Sequence, residues 1–440
     1  MTAEVAIFNK SAIALAADSA VSIEGLESSK VYNNAEKLFA LTKHHPVAIM
    51  IYARNELQGV PWELIIKAYR KELGITSFAT IREYKDSFLD FARRFYFNIP
   101  QKSRDNWLQY SIQSIVDSTA ELLFDRVTDL AEELESEDDI RDLKQIDLFD
   151  IEIDNLIELY EEAPNFEGLS EDTLDDSSLE FLNYAHDILF ETIDVSKLTS
   201  SDRNDWSSTC QKFQLLCKKR LVKQDPFFDG ITGLVFAGYG DNDYFPVLIE
   251  CAVYGAINNK IKVNDVGSSG EEEVMTSGIK AFAQKEEVAT FMEGMSRSQR
   301  ENIGYNVQEV CEERNDVIRD LIVEYVPKEK QKELLDKYEK KFLDQLHNFK
   351  VSVSDYTMEN HVNKVLRMVE HLPKNELAYM AESMVNLTAF KRKVSNESDS
   401  VGGPIDVAVI SKGDGLVWIK RKHYFPQELN SQYGPKMNDY

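Results

Sequence analysis

Three residues near the start of the chain have side chains suited to acyl-transfer chemistry: Thr2, Asp18 and Lys37. A hydroxyl is a weak nucleophile until a neighbouring base takes its proton, and the free amine of an N-terminal threonine can be that base. An unperturbed α-amine, with a pKa of about 8, titrates close to neutrality. A lysine beside the hydroxyl favours its ionised form, and an aspartate keeps that lysine charged. Removal of Met1 would free the amine, and the small side chain of Thr2 permits the removal. The competing reading is an ordinary threonine at position 2 and a Lys37 that faces solvent between two strands.

The elements around these residues can be read from pattern. Val5-Ala6-Ile7-Phe8 reads as a strand, Asn9-Lys10-Ser11 as a tight turn and Ala12 to Ala17 as the returning strand. Such a hairpin holds residue 2 against whatever follows Ala17, which is Asp18. Lys37 stands at the mouth of a third apolar stretch, Leu38-Phe39-Ala40-Leu41, and Val47 to Tyr52 reads as a further buried strand. Pro61 then opens a helix with Trp62, Ile65, Ile66 and Tyr69 at helical spacing, stopped by Gly74. Short strands in tight succession followed by a helix predict an antiparallel sheet with a helix laid on it, not a dinucleotide-binding unit.

Residues 2 to 40 resemble the start of a proteasome β subunit, in the N-terminal-nucleophile hydrolase superfamily. The resemblance rests on Leu15-Ala16-Ala17-Asp18-Ser19 and on Lys37 before Leu38-Phe39, after a loop about three residues longer than the family's. A second block, Val401-Gly402-Gly403-Pro404-Ile405-Asp406-Val407-Ala408-Val409-Ile410, matches in the right order near the other end. It implies Thr2 as nucleophile, Asp18 and Lys37 as its catalytic partners, and an oxyanion site near Tyr52 and Ala53. Ile51-Tyr52-Ala53-Arg54 carries no glycine where the family has one. Gln284 falls where the family has a supporting serine. In the loop before Gly402, a gapless match puts Ser398 at the family's aspartate and Val401 at its serine. Asp399 and Ser400 each lie one position from those places.

The remaining chain divides by character. Residues 76–228 read as a helical insertion, with Leu108, Ile112, Ile115, Leu122, Leu123 and Val127 as one apolar stripe and a dense excess of Asp and Glu over residues 132–180. That excess reads as a solvated face, with a recognition surface for a basic partner as the alternative. Gly233 to Gly240 reads as a central strand closed by glycines, Pro246 to Ile249 as its neighbour and Lys260 to Val263 as an edge strand. Residues 296–371 read as a second helical insertion. A helix begins at Pro373, and Ile405, Val407 and Val409 alternate as a strand that turns at Lys412-Gly413-Asp414-Gly415.

The chain has 440 residues and a formal charge of −26. That charge argues against nucleic acid and anionic membrane surfaces. No run approaches the roughly 18 apolar residues of a membrane helix, and the sequence reads as cytoplasmic. Cys210, Cys217, Cys251 and Cys311 have no metal-binding or redox spacing and read as reduced, structural thiols. No cofactor or metal is expected.

The expected fold is α+β: a four-layer α-β-β-α sandwich of two antiparallel sheets, built from residues 1–75, 229–295 and 372–440 and carrying the two helical insertions. The expected activity is hydrolysis of a peptide or other amide bond by Thr2, a threonine-type protease chemistry. The alternative is a non-catalytic, proteasome-like scaffold or binding subunit. Assembly into a homo-oligomer or ring is what the resemblance implies.

Overall fold

The computed structural model describes residues 2–24, 29–135, 145–174, 202–224, 231–257, 260–269, 277–395, 401–423, 425 and 429–430. The strands near the N-terminus are β1 (Ala3–Asn9), β2 (Ala12–Ala17), β3 (Val21–Glu24), β4 (Ser29–Tyr32), β5 (Leu38–Ala40) and β6 (Val47–Ala53). Two short strands follow, β7 (Glu56–Leu57) and β8 (Val60–Pro61). The later strands are β9 (Thr232–Gly238), β10 (Val247–Ile257), β11 (Lys260–Ser269), β12 (Ser277–Ala283), β13 (Asp406–Ser411) and β14 (Gly415–Lys420). Between β8 and β9 lie α1 (Trp62–Leu73), α2 (Ile81–Tyr96), α3 (Gln101–Glu135), α4 (Gln145–Glu162) and α5 (Asp202–Val222). Between β12 and β13 lie α6 (Glu286–Glu293), α7 (Arg297–Tyr325), α8 (Lys328–Thr357), α9 (Asn363–Glu370) and α10 (Lys374–Val394).

The fold is α+β, with two antiparallel five-stranded sheets flanked by helices. One sheet has the order β12-β1-β2-β13-β14 and the other β11-β10-β9-β6-β5. By compactness the chain divides into two units: Met1–Tyr52 with Ala237–Leu248 and Ser269–Tyr440, and Ala53–Phe236 with Ile249–Ser268.

In the first unit, β1 and β2 are buried along their whole length, which is why Val5 to Phe8 and Ala12 to Ala17 read as continuous apolar runs without alternation, while Glu4 and Asn9 of β1 are buried polar residues. One face (Ala3, Val5, Ile7, Ala12, Ala14, Ala16, Val407 and Val409) packs under Leu377, Ala381 and Val385 of α10. The other carries Glu4, Ala6, Phe8, Ile13, Leu15 and Ala17, all buried. Asn9 fixes the turn between the two strands. Its Oδ1 accepts from the backbone of Ser11 (3.0 Å) and Ala12 (3.3 Å), while its Nδ2 donates to the Val369 and Leu372 carbonyls at the end of α9. Gly238 closes β9 with φ +141°, and a Cβ there would lie 1.9 Å from the Pro46 carbonyl oxygen. The helices α7 and α8 form a hairpin turning at Val326-Pro327, joined by the Arg319–Glu339 ion pair at 3.0 Å. A π-helical turn over Met358–Val362 leads from α8 to α9.

The second unit has its own core. Ile112, Ile115, Val116 and Leu123 of α3 meet Phe149, Ile153 and Leu156 of α4 and Phe213 and Leu216 of α5. The Arg220 guanidinium, 1 % exposed, donates to Thr119 Oγ1 at 2.7 Å and lies over the Tyr160 ring. Helix α1 is flanked by Pro61 at its N-cap and Gly74 at its C-cap, with Trp62, Ile65, Ile66, Tyr69 and Leu73 turned inward.

Candidate functional site

The residue following β2 is the hub of the first unit's polar interior. Asp18 is fully buried, and its two carboxylate oxygens accept from four donors. Oδ1 takes the Lys37 ammonium at 2.6 Å and the Ala3 backbone N–H at 3.1 Å. Oδ2 takes the Gly402 N–H at 3.0 Å and the Ala20 N–H at 3.3 Å. The Asp18 N–H returns a bond to the Ala3 carbonyl at 3.1 Å. Four donors on one buried carboxylate satisfy both of its oxygens.

Each partner is placed by its own element. Lys37 ends the segment before β5, and its carbonyl accepts from the Ile51 N–H of β6 at 2.9 Å. Its side chain is 4 % exposed, so the ion pair with Asp18 is shielded from solvent. Gly402 is held by the Ser19 N–H, which donates to its carbonyl at 3.1 Å, and the Ser19 hydroxyl donates to the Pro404 carbonyl. The two sequence blocks that carry the resemblance thus meet at Asp18-Ser19 and Gly402-Gly403-Pro404.

Thr2 precedes β1 and is 4 % exposed. Its carbonyl accepts from the Gln284 N–H at 3.2 Å, and the Gln284 amide oxygen in turn accepts from Arg392 of α10. Gln284 therefore braces the Thr2 backbone. Its neighbour Ala283 pairs with Ala3 and has φ +61°. Tyr52 is buried at the end of β6, with its ring stacked on Phe282 at 5.8 Å. Ala53 has φ +64°, in the left-handed region that glycine enters without strain. Ser398, Asp399 and Ser400 lie outside the described residues.

Beside Asp18 lies a pocket of ≈ 380 Å³ whose lining includes Asn33, Asn386, Phe390, Lys393 and Gly402. That volume lies within the range of small-molecule sites.

Two buried acids, Glu4 and Asp406, were not legible as site residues. Glu4 of β1 is fully buried, and both of its carboxyl oxygens are without a hydrogen-bond partner among the described residues. Burial holds its carboxyl well above the usual carboxylate range, with Lys37 opposing that rise and Asp18 adding to it. Asp406 of β13 is 2 % exposed and takes both the backbone N–H and the ammonium of Lys422 at 2.8 Å. The only available signal was an ionisable residue at a strand position whose neighbours are apolar.

Among the described residues no group of three His, Cys, Asp or Glu side chains is placed to hold a metal ion. No described helix is long and apolar enough to cross a membrane. Comparison of the chain with protein-family models and with curated proteins gives no match.

Proposed function

We propose that the protein is an amide- or peptide-bond hydrolase of the N-terminal-nucleophile type, built as a four-layer α-β-β-α sandwich. The observation that supports this reading best is the convergence on Asp18 of the Lys37 ammonium and the backbone N–H of residue 3. One carboxylate thereby fixes both a buried cation and the chain segment that carries Thr2.

In this mechanism Met1 is removed and the Thr2 amine takes the proton of Oγ1 as that oxygen attacks the substrate carbonyl carbon. Lys37 favours the ionised oxygen and Asp18 holds Lys37 in place. The oxyanion accepts from backbone N–H groups near Tyr52, a role open to any residue but proline. The C–N bond then breaks as the amine passes its proton to the leaving nitrogen, and water hydrolyses the ester left on Thr2. The substrate class is a peptide or another amide, and the protein works in the cytoplasm as a homo-oligomer. Thr2→Ala abolishes turnover of an amide substrate and leaves the fold intact. Retained turnover sinks the mechanism.

A second reading, a non-catalytic scaffold of the same fold, is favoured by the burial of Thr2 and by the alanine in left-handed conformation after Tyr52. The two readings part at the N-terminus: the scaffold needs no removal of Met1, and the hydrolase does.

A further inference from the structure

Glu4 is a buried acid that the mechanism above does not use, and both of its carboxyl oxygens lack a hydrogen-bond partner among the described residues. The strand register places it opposite Ala17 of β2, and Asp406 of β13 stands opposite the same Ala17 from the other side. Cross-strand partners share a face, so Glu4 and Asp406 flank a small methyl side chain in one buried row. Side chains alternate along a strand, and Thr2, two residues from Glu4, belongs to the same face of the chain.

The charges around this row come from several elements. Lys37, Asp18 and Lys422 all act on Glu4. From β12, Lys280 reaches the Phe282 ring at 5.7 Å, and Phe282 is the cross-strand partner of Glu4. From β6, Tyr52 stacks on the same ring. Lys37 is engaged by Asp18 and Lys422 by Asp406, so each of these buried cations already has its own carboxylate. An ionised Glu4 would be a buried anion with no hydrogen-bond donor among the described residues, whereas a protonated Glu4 adds no charge.

We propose that Glu4 is a positioning residue of the Lys37–Asp18 pair: a buried neutral carboxylic acid that leaves Lys37 to Asp18 alone, and whose ionisation adds a third carboxylate to the centre and sets its upper pH limit. Burial supplies the preference for the neutral form. The consequence for catalysis rests on the hydrolase reading; the coupling to Lys37 does not.

The test follows the Glu4 side-chain carboxyl carbon and the Lys37 ammonium nitrogen by NMR on the full chain from about pH 5 to 9, assigned with Glu4→Gln and Lys37→Arg. Alongside it, the rate at which an electrophile selective for N-terminal threonine modifies Thr2 is measured over the same range. The expected result is a Glu4 carbon in the protonated position at neutral pH and a Lys37 signal that shifts in step when Glu4 ionises. That step is absent in Glu4→Gln, where Thr2 modification also persists to higher pH than in the parent. A Glu4 already ionised at pH 5, or a Lys37 signal indifferent to it, overturns the proposal. Absence of Thr2 modification at every pH defeats the hydrolase reading, while the Lys37 signal still decides the role of Glu4. Modification with the same pH profile in Glu4→Gln and parent defeats the catalytic part of the Glu4 proposal alone. If Glu4→Gln does not fold, the parent carbon and nitrogen signals decide by whether they titrate together.

Discussion

The Lys37 ammonium lies 2.6 Å from Asp18 Oδ1, with neither side chain more than 4 % exposed. The two are not equivalent in what they leave behind. Without Lys37, Asp18 keeps the N–H groups of Ala3, Ala20 and Gly402. Removal of Asp18 strands a buried ammonium and three backbone donors. Breaking a buried pair from one side costs about 3–5 kcal/mol, and Asp18→Ala is expected at the upper end of that range. Lys37→Met, which keeps the volume and leaves a solvated-like anion pocket, is expected to cost less. Urea unfolding of both variants checks the order, and a larger loss for Lys37→Met contradicts it.

Glu4 makes stability depend on pH with a definite sign. Its folded pKa is raised by burial, while in the unfolded chain a glutamate titrates at about 4.3. Between those values the native state holds a proton that the unfolded state has released, so stability falls as pH rises through that window. The stabilisation is complete below the unfolded pKa and is lost toward the folded one. Glu4→Gln removes this dependence. Unfolding free energies at about pH 5 and pH 8 are expected to fall more steeply for the parent than for Glu4→Gln, and equal slopes contradict the assignment.

Much of the fold was legible because the sequence states it locally. Asn9-Lys10-Ser11 between two apolar runs gave the first hairpin, and Pro61 and Gly74 bracket α1 as punctuation does. The stripe from Leu108 to Val127 lies within α3, whose helix runs further in both directions, Gln101–Glu135. The hairpin β3–β4 was missed: its strands are short and lie in a stretch read only as a long loop. In the site, the meeting of Asp18 with Lys37 followed from an expected hairpin and the next strand. Glu4, Arg392 and Lys422 were illegible for one shared reason. A charged residue ordinarily reads as exposed, and only partners distant in sequence reveal that it is buried or engaged. Arg392 reaches Gln284 across 108 positions, and Lys422 reaches back past the β13–β14 hairpin to Asp406.

Two backbone positions give opposite expectations. Ala53 holds φ +64° and is exposed, so Ala53→Gly relieves a left-handed alanine at no cost in packing. The gain is expected to be about 1 kcal/mol. At Gly238 a Cβ would meet the Pro46 carbonyl, which accepts the Tyr239 N–H at 3.0 Å. Gly238→Ala is therefore expected to lose several kcal/mol, on the order of 3 or more. Thermal unfolding of the two variants should move the midpoint in opposite directions; movement in one direction contradicts the backbone argument.

The thiols should separate by burial. Burial pushes Cys217 and Cys251 up to about 12 and Cys210 up to about 11, which suppresses the reactive thiolate. Cys311 is partly exposed. Under native conditions a thiol reagent is expected to modify Cys311 alone, with the other three reacting only on unfolding. Mass mapping of the labelled chain reads this directly, and rapid native labelling of Cys217 or Cys251 contradicts it.

Whether Thr2 is a nucleophile tuned by Lys37 is decided by the intact mass of the purified protein before and after reaction with an electrophile selective for N-terminal threonine. Loss of Met1 and a single adduct on Thr2, absent in Lys37→Ala, are expected. Retention of Met1, or a processed chain that takes no adduct, contradicts the nucleophile.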